Sequence, residues 1–311
     1  MDPEANQNIK NQHVVSRVLL AQFAELRGKN QEHQLAGLDL AITNSRPSYG
    51  GPGMFGKVPN FVRFASKSVE QVWKETEDKL HDILGAVADN TIFGTPAHLD
   101  TIRDTFVLHF VRSIPAAFIH EDAWLQNRGA AKRFAFQFPQ HLEEIFRQKH
   151  GIYPSGPEGF DIAYDLLIAE MTSEKDRGSF FRVGLEDKFR RYRDVTRSYG
   201  VEILVPESGE FIIGDVPALA IRLGQSTTGV RSGVGLATAD ELAIPLGPKS
   251  LAVLRNAGRT GFGKASSAEV ESYNTMQIQA AYRHVHFRPG SGLPAWIRSV
   301  NRPEIYPPLP S

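Results

Sequence analysis

Phe211-Ile212-Ile213-Gly214-Asp215-Val216-Pro217 reads as the end of a buried strand and the turn that follows. Three apolar residues, two of them β-branched, fit a short core strand. Gly214 and Asp215 end it, and Pro217, which has no N–H, stops further ladder pairing. A carboxylate in a rigid turn at the mouth of a buried strand suits a functional site. It equally suits a turn cap, because Asp bonds nearby backbone amides.

Around this stretch the pattern is that of strands. Short apolar segments at 201–205, 219–223, 242–246 and 251–254 alternate with turn residues, as in an antiparallel sheet. Upstream of Gly200 the periodicity is helical. Val69, Trp73, Thr76, Leu80, Ile83 and Val87 form one stripe; Ile102, Phe106, Phe110 and Ile114 form the next, after Thr95-Pro96. Further helices are predicted at 139–149, 160–171 and 180–199. A first helix is predicted over 14–26 from Val15, Leu19 and Phe23, closed by Arg27-Gly28. Leu38, Leu40 and Ile42 suggest one strand. Ser266-Ser267-Ala268-Glu269 opens a last helix with a capping box, whose stripe Val270, Ile278, Ala281 is interrupted by Asn274.

Helices first and strands later predict an α+β fold, a mostly helical N-terminal part packed on a small C-terminal antiparallel sheet. The predicted boundaries are a disordered tail over 1–12, one domain over 13–288 (helical 13–200, sheet plus helix 201–288) and a Pro-rich tail over 289–311. The 311 residues are 41% apolar and 23% charged, and their formal net charge is zero. That balance fits a soluble protein and supplies no global field for nucleic acid or anionic membranes. The absence of cysteine excludes disulfide and thiolate chemistry. No apolar run is long enough to span a bilayer, and the first residues lack an apolar signal core, so the reading is cytoplasmic.

Five polar residues stand where the pattern does not call for them: His13, His109, Arg112, Asp215 and Asn274. Glu77, beside the Trp73 stripe, is an outer candidate. His109 and Arg112 lie three residues apart on one helix and can meet one ligand. A neutral His can act as a base, Arg can clamp a phosphate, and Asp can orient a His or hold a metal. The set points to a nuclease-like hydrolase acting on phosphodiester bonds, with nucleic acid or an anionic small molecule as partner. If His13, His109 and Asp215 converge, a divalent metal becomes a candidate cofactor. The alternatives are a non-catalytic binding or regulatory protein, and an inert polar network joining helices to sheet.

Three other stretches attract notice. Gly258-Arg259-Thr260-Gly261-Phe262-Gly263-Lys264-Ala265 fits a phosphate-binding loop except at its last position, where Ala265 replaces the Ser or Thr that holds magnesium. It reads instead as a flexible Gly-rich connection. Lys188-Phe189-Arg190-Arg191-Tyr192-Arg193 could track a nucleic-acid backbone, but Glu186, Asp187 and Asp194 favour a solvated face with local ion pairs. His284-Val285-His286 would put two imidazoles on one side if extended. With no acidic partner nearby in sequence, it reads as a helix end followed by a short strand.

Several of these stretches together resemble an uncharacterised family of mostly bacterial proteins, a domain of unknown function. Gln12-His13-Val14-Val15-Ser16 resembles its Gln-His-x-x-Pro opening, with Ser16 at the proline. Arg112-Ser113-Ile114-Pro115 is similar to its Arg-Thr-Pro helix end. Gly214-Asp215-Val216-Pro217 resembles a Ser-Asp-x-Pro turn, and Pro245-Leu246-Gly247-Pro248 a Pro-Leu-Ser-Pro segment. Asn274 and Ala281 match its last helix. Both family serines are glycines here, which argues against Ser-based acyl chemistry. The resemblance implies no established activity.

Overall fold

In the computed structural model, which describes residues 11–28, 31–59, 61, 67–224 and 234–302, the N-terminal segment is mainly strand. β1 (Asn11–His13) leads into a short helix, α1 (Arg17–Ala21), and then into β2 (Glu25–Arg27), β3 (Glu32–Asp39), β4 (Ser48–Gly50) and β5 (Lys57–Pro59). β5 returns to pair antiparallel with β1. The helix predicted over 14–26 therefore shrinks to α1. Ser16 caps it, its hydroxyl accepting the Val18 N–H at 3.2 Å, and Glu25 to Arg27 pair with β3 instead of continuing the helix. Val15, Leu19 and Phe23 are buried all the same. The apolar pattern marks what lies inside, and pairing with a later segment decides the element type.

Among the described residues, seven helices follow: α2 (Lys67–Ala88), α3 (Pro96–Val111), α4 (Ile114–Ala135), α5 (Pro139–His150), α6 (Gly156–Leu167), α7 (Ala169–Asp176) and α8 (Ser179–Thr196). Trp73, Leu80 and Ile83 of α2 and Ile102 and Phe106 of α3 join Leu19, Leu20 and Phe23 in the main core. Each such side chain stabilises the fold by roughly 1.5–3 kcal/mol on full burial. The sequence reading has no counterpart for α4. Ser113-Ile114-Pro115 reads as a helix end, but Ser113 is also an N-cap and Pro115 sits in the first turn, where its missing N–H has no partner to lose. The helix predicted at 160–171 is two helices that meet at Ile168.

The remainder is β6 (Tyr199–Pro206), β7 (Ile213–Gly214), β8 (Leu219–Ile221), β9 (Glu241–Gly247), β10 (Ser250–Asn256), β11 (Gly261–Ala265), α9 (Ser267–Ala280), β12 (His284–Phe287) and α10 (Pro294–Ser299). The fold is α+β, but the single small antiparallel sheet becomes two larger ones. One has the order β11-β6-β10-β9-β8; the other has the order β2-β3-β12-β7, with β4 on β3. The second sheet draws on both ends of the chain, which no local pattern announces. Of the strand predicted at 211–213, only Ile213 enters a ladder.

The second half of the phosphate-loop look-alike, Gly261–Ala265, is strand. β11 runs parallel to β6, the Arg259 guanidinium pairs with Glu202, and the Thr260 hydroxyl accepts the Val201 N–H at 3.2 Å. The predicted flexible connection is thus confined to residues 258–260, and Arg259 and Thr260 tie even these to β6. Gly200 permits the crossing, because a Cβ there would lie 2.0 Å from the Gly258 carbonyl oxygen.

α9 carries the predicted capping box and serves both sheets. Val270 and Tyr273 pack with Phe211 and Val253 on the first; Ile278 and Ala281 pack with Ile212, Val285 and Phe287 on the second. Asn11 and Gln12, inside the tail predicted at 1–12, belong to β1, and the predicted Pro-rich tail contains α10 with Ile297 buried. Residues 1–10 and 303–311 of those tails lie outside the described residues. No described helix is long and apolar enough to cross a membrane.

Candidate functional site

The Asp215 turn clamps the start of β12. Its carboxylate accepts the backbone N–H groups of Tyr282, Arg283 and His284 at 2.7, 2.8 and 2.8 Å, and its own N–H donates to the His284 carbonyl at 2.9 Å. The cap reaches across the chain, not two residues along as a local turn would. Burial pushes the Asp215 carboxyl up, while the three amides and His284 pull it back. Asp39, at the end of β3, accepts the Arg283 guanidinium at 2.7 and 2.9 Å. Burial works to raise the Asp39 carboxyl, but Arg283 and the Ala41 amide outweigh it and hold it below the usual carboxylate range.

Between these carboxylates opens a cavity of about 990 Å3, walled by β3, β5, β12, the Asp215 turn and the start of α4. His284 and His286 line it, as alternation along an extended strand predicts. Their rings are near parallel with centroids 6.3 Å apart. His284 stands 3.8 Å from both Asp39 and Asp215. His286 is 1% exposed, and neither of its ring nitrogens has a hydrogen-bond partner among the described residues. Burial, with His284 beside it, lowers its pKa to about 3, so the ring is neutral. Gly37 faces His286 across the ladder. A Cβ there would lie 2.8 Å from the Phe55 ring and 3.1 Å from His286 Nδ1, so this wall needs glycine.

Arg46, Lys57, Arg283 and Arg302 bring positive charge to the same cavity. Arg283 is paired with Asp39, and Arg302 donates to the carbonyls of Ala281 and Tyr282. Arg46 and Lys57 are exposed and make no ion pair with any described residue. With Asp39 and Asp215 already occupied by donors, the polar groups left to meet a ligand are cations and imidazoles.

The residues singled out from sequence divide into three groups. His13, His109, Arg112 and Glu77 come together. The Ser16 N–H donates to His109 Nε2 at 3.0 Å, and His109 Nδ1–H donates to the Thr105 carbonyl at 2.8 Å, which fixes a neutral tautomer with both nitrogens engaged. Burial lowers the His109 pKa to about 4. Arg112 lies 4.2 Å over the Trp73 ring and 3.8 Å from Glu77. His13 is half-buried, its Nε2 has no partner among the described residues, and burial followed by Lys57, Arg112 and Arg17 lowers its pKa. Val14 and Ile114, close in sequence to His13 and Arg112, line the cavity, so this group borders it from behind.

Asp215 belongs to the cavity wall itself. Asn274 belongs to neither place: it accepts the Ile212 N–H at 2.9 Å and donates to the Glu210 carbonyl at 2.8 Å, tying α9 to the extended segment that leads into β7. Sequence reasoning passed over Asp39, Lys57 and Arg283, and set His284 and His286 aside as a helix end and short strand. The one available signal was His284-Val285-His286, and the acidic partners it lacks nearby arrive from residues 39 and 215. Among the described residues, no group of three or more His, Asp or Glu side chains is placed to hold a metal ion. The basic helix carries the local ion pairs its acidic neighbours foretell, Arg190 with Asp187 and Arg197 with Asp194.

Fold and cavity together define an α+β protein with an imidazole-walled, cation-rimmed pocket. Within that class, the chain belongs to the family described as protein of unknown function (DUF4238), whose model matches residues 11–291. No curated protein and no solved structure matches the chain.

Proposed function

We propose that the cavity binds a phosphate-bearing ligand and that its two histidines cleave a phosphoester there, in the manner of a nuclease-like hydrolase. The observation that carries this reading is His286, a fully buried neutral imidazole at a cavity wall with both nitrogens unpartnered among the described residues. A buried polar group without a partner costs about 1–3 kcal/mol, and such a cost is characteristic of groups kept for a ligand. Lys57 and Arg46 draw the anion to the mouth. His286 accepts the proton of the attacking water as the new P–O bond forms. His284 delivers a proton to the leaving oxygen, with Asp39 and Asp215 orienting its ring. His13 is a further, partly exposed base at the border, while His109 and Arg112 hold the structure behind it and Asn274 serves the scaffold between α9 and the 210–212 segment.

A second reading is anion binding without turnover, favoured by the full occupation of both carboxylates by N–H donors. One set of measurements separates the two. Bis(4-nitrophenyl) phosphate and single-stranded RNA and DNA are incubated with the protein, with magnesium and with chelator. Hydrolysis that falls about 100-fold or more in His286→Asn and in His284→Gln, with the melting temperature kept, supports catalysis. No turnover but pyrophosphate binding that weakens in Lys57→Ala supports the second reading. Neither turnover nor binding defeats both.

A further inference from the structure

A second cavity, of about 270 Å3, lies on the other side of the Asp215 turn. Asp215 and Ile114 line the first cavity, whereas Val216, Ser113 and Pro115 line the second. The two are therefore separate sites that share a wall. The second has the opposite chemistry: Phe110, Ile119, Val216 and Leu219 make it apolar, and Lys188 is the one charged residue among its described lining. Its floor is firm, since Phe110 stacks on Phe106 and meets the Tyr192 ring edge-on at 5.8 Å.

Lys188 makes no hydrogen bond or ion pair with any described residue. It is half-buried, and burial lowers its pKa. On the same helix, α8, Arg190 and Arg193 pair with Asp187 and Asp104, while Arg191 is exposed to solvent. Lys188 instead faces an apolar chamber near the small end of the usual range for ligand pockets, about 300–1,000 Å3. An ammonium in such a place has neither the counter-charge of Arg190 and Arg193 nor the full hydration of Arg191. The ligand that completes it is small, apolar along its length and anionic at one end.

We infer that this cavity is a binding site for a small apolar monocarboxylate, whose acid group pairs with Lys188 and whose tail lies against Phe110, Ile119 and Leu219. The inference is independent of any reaction in the first cavity. Isothermal titration of the full chain with octanoate, 1-octanol and octylamine tests it. Octanoate should bind at least about tenfold more tightly than 1-octanol, the effect of one desolvated charge pair, and octylamine should bind least well. Lys188→Met should bring octanoate down to the level of 1-octanol, with 1-octanol unchanged. Ala220→Phe, which fills the chamber from β8, should abolish binding of both while circular dichroism stays native. Failure of octanoate to bind, equal binding of octanoate and octanol, or persistence of the preference in Lys188→Met overturns the assignment.

Discussion

His109 and His286 are both fully buried, both neutral, and both displaced downward in pKa by burial, yet they sit in opposite kinds of place. His109 is stitched into the junction of α3 with the N-terminal segment, donating to one carbonyl and accepting one amide. His286 stands on the cavity wall with two idle nitrogens and a glycine cleared beside it. Burial alone therefore says little about role. What distinguishes scaffold from candidate site is whether the hydrogen-bonding capacity of the buried ring is used up inside the protein.

The contrast can be broken or sharpened by stability measurements. The largest effect should come from Asp215→Ala. It strips the acceptor from three backbone amides at once, and at about 1–3 kcal/mol per orphaned group it should lower the free energy of urea unfolding by about 3 kcal/mol or more. A loss below about 1 kcal/mol would show that the clamp does not hold β12.

Acidification comes next. Rings with folded pKa values of about 4 and about 3, against the ordinary 6.5, are deprotonated by folding. The unfolded chain then binds more protons than the folded one between those values, so the contribution is complete above about pH 6.5 and lost as pH falls through the window. Between pH 7 and pH 5 each ring should remove about 2 kcal/mol. Urea titrations at the two pH values measure this, and equal midpoints would contradict it.

The smallest effect is the most discriminating. His109→Leu leaves the Ser16 amide without its acceptor and should cost about 1–3 kcal/mol at pH 7. His286→Leu removes two unpartnered nitrogens and should cost nothing or raise the melting temperature, as happens where a protein gives up stability for a site. Equal losses in the two variants would erase the distinction between scaffold and site.

Some of this was legible along the chain. The unusual positions of His109, Asp215 and Asn274 mark three of the places where distant segments are tied together, since an isolated polar residue on an apolar face tends to find a partner. The ties themselves were not legible, because Asp215 reaches residues 282–284, Asn274 reaches residues 210 and 212, and His109 reaches Ser16. The cavity was hidden for the same reason: His284 and His286 become a site only when β3 brings Asp39 alongside and β5 adds Lys57. The apolar periodicity of the sequence determined which residues are inside and that the fold is α+β. Tertiary pairing decided that Glu25–Arg27 is strand, that Gly261–Ala265 is a parallel ladder and that His286 faces a cavity, because strand partners are chosen by segments far apart in sequence and no local propensity encodes them.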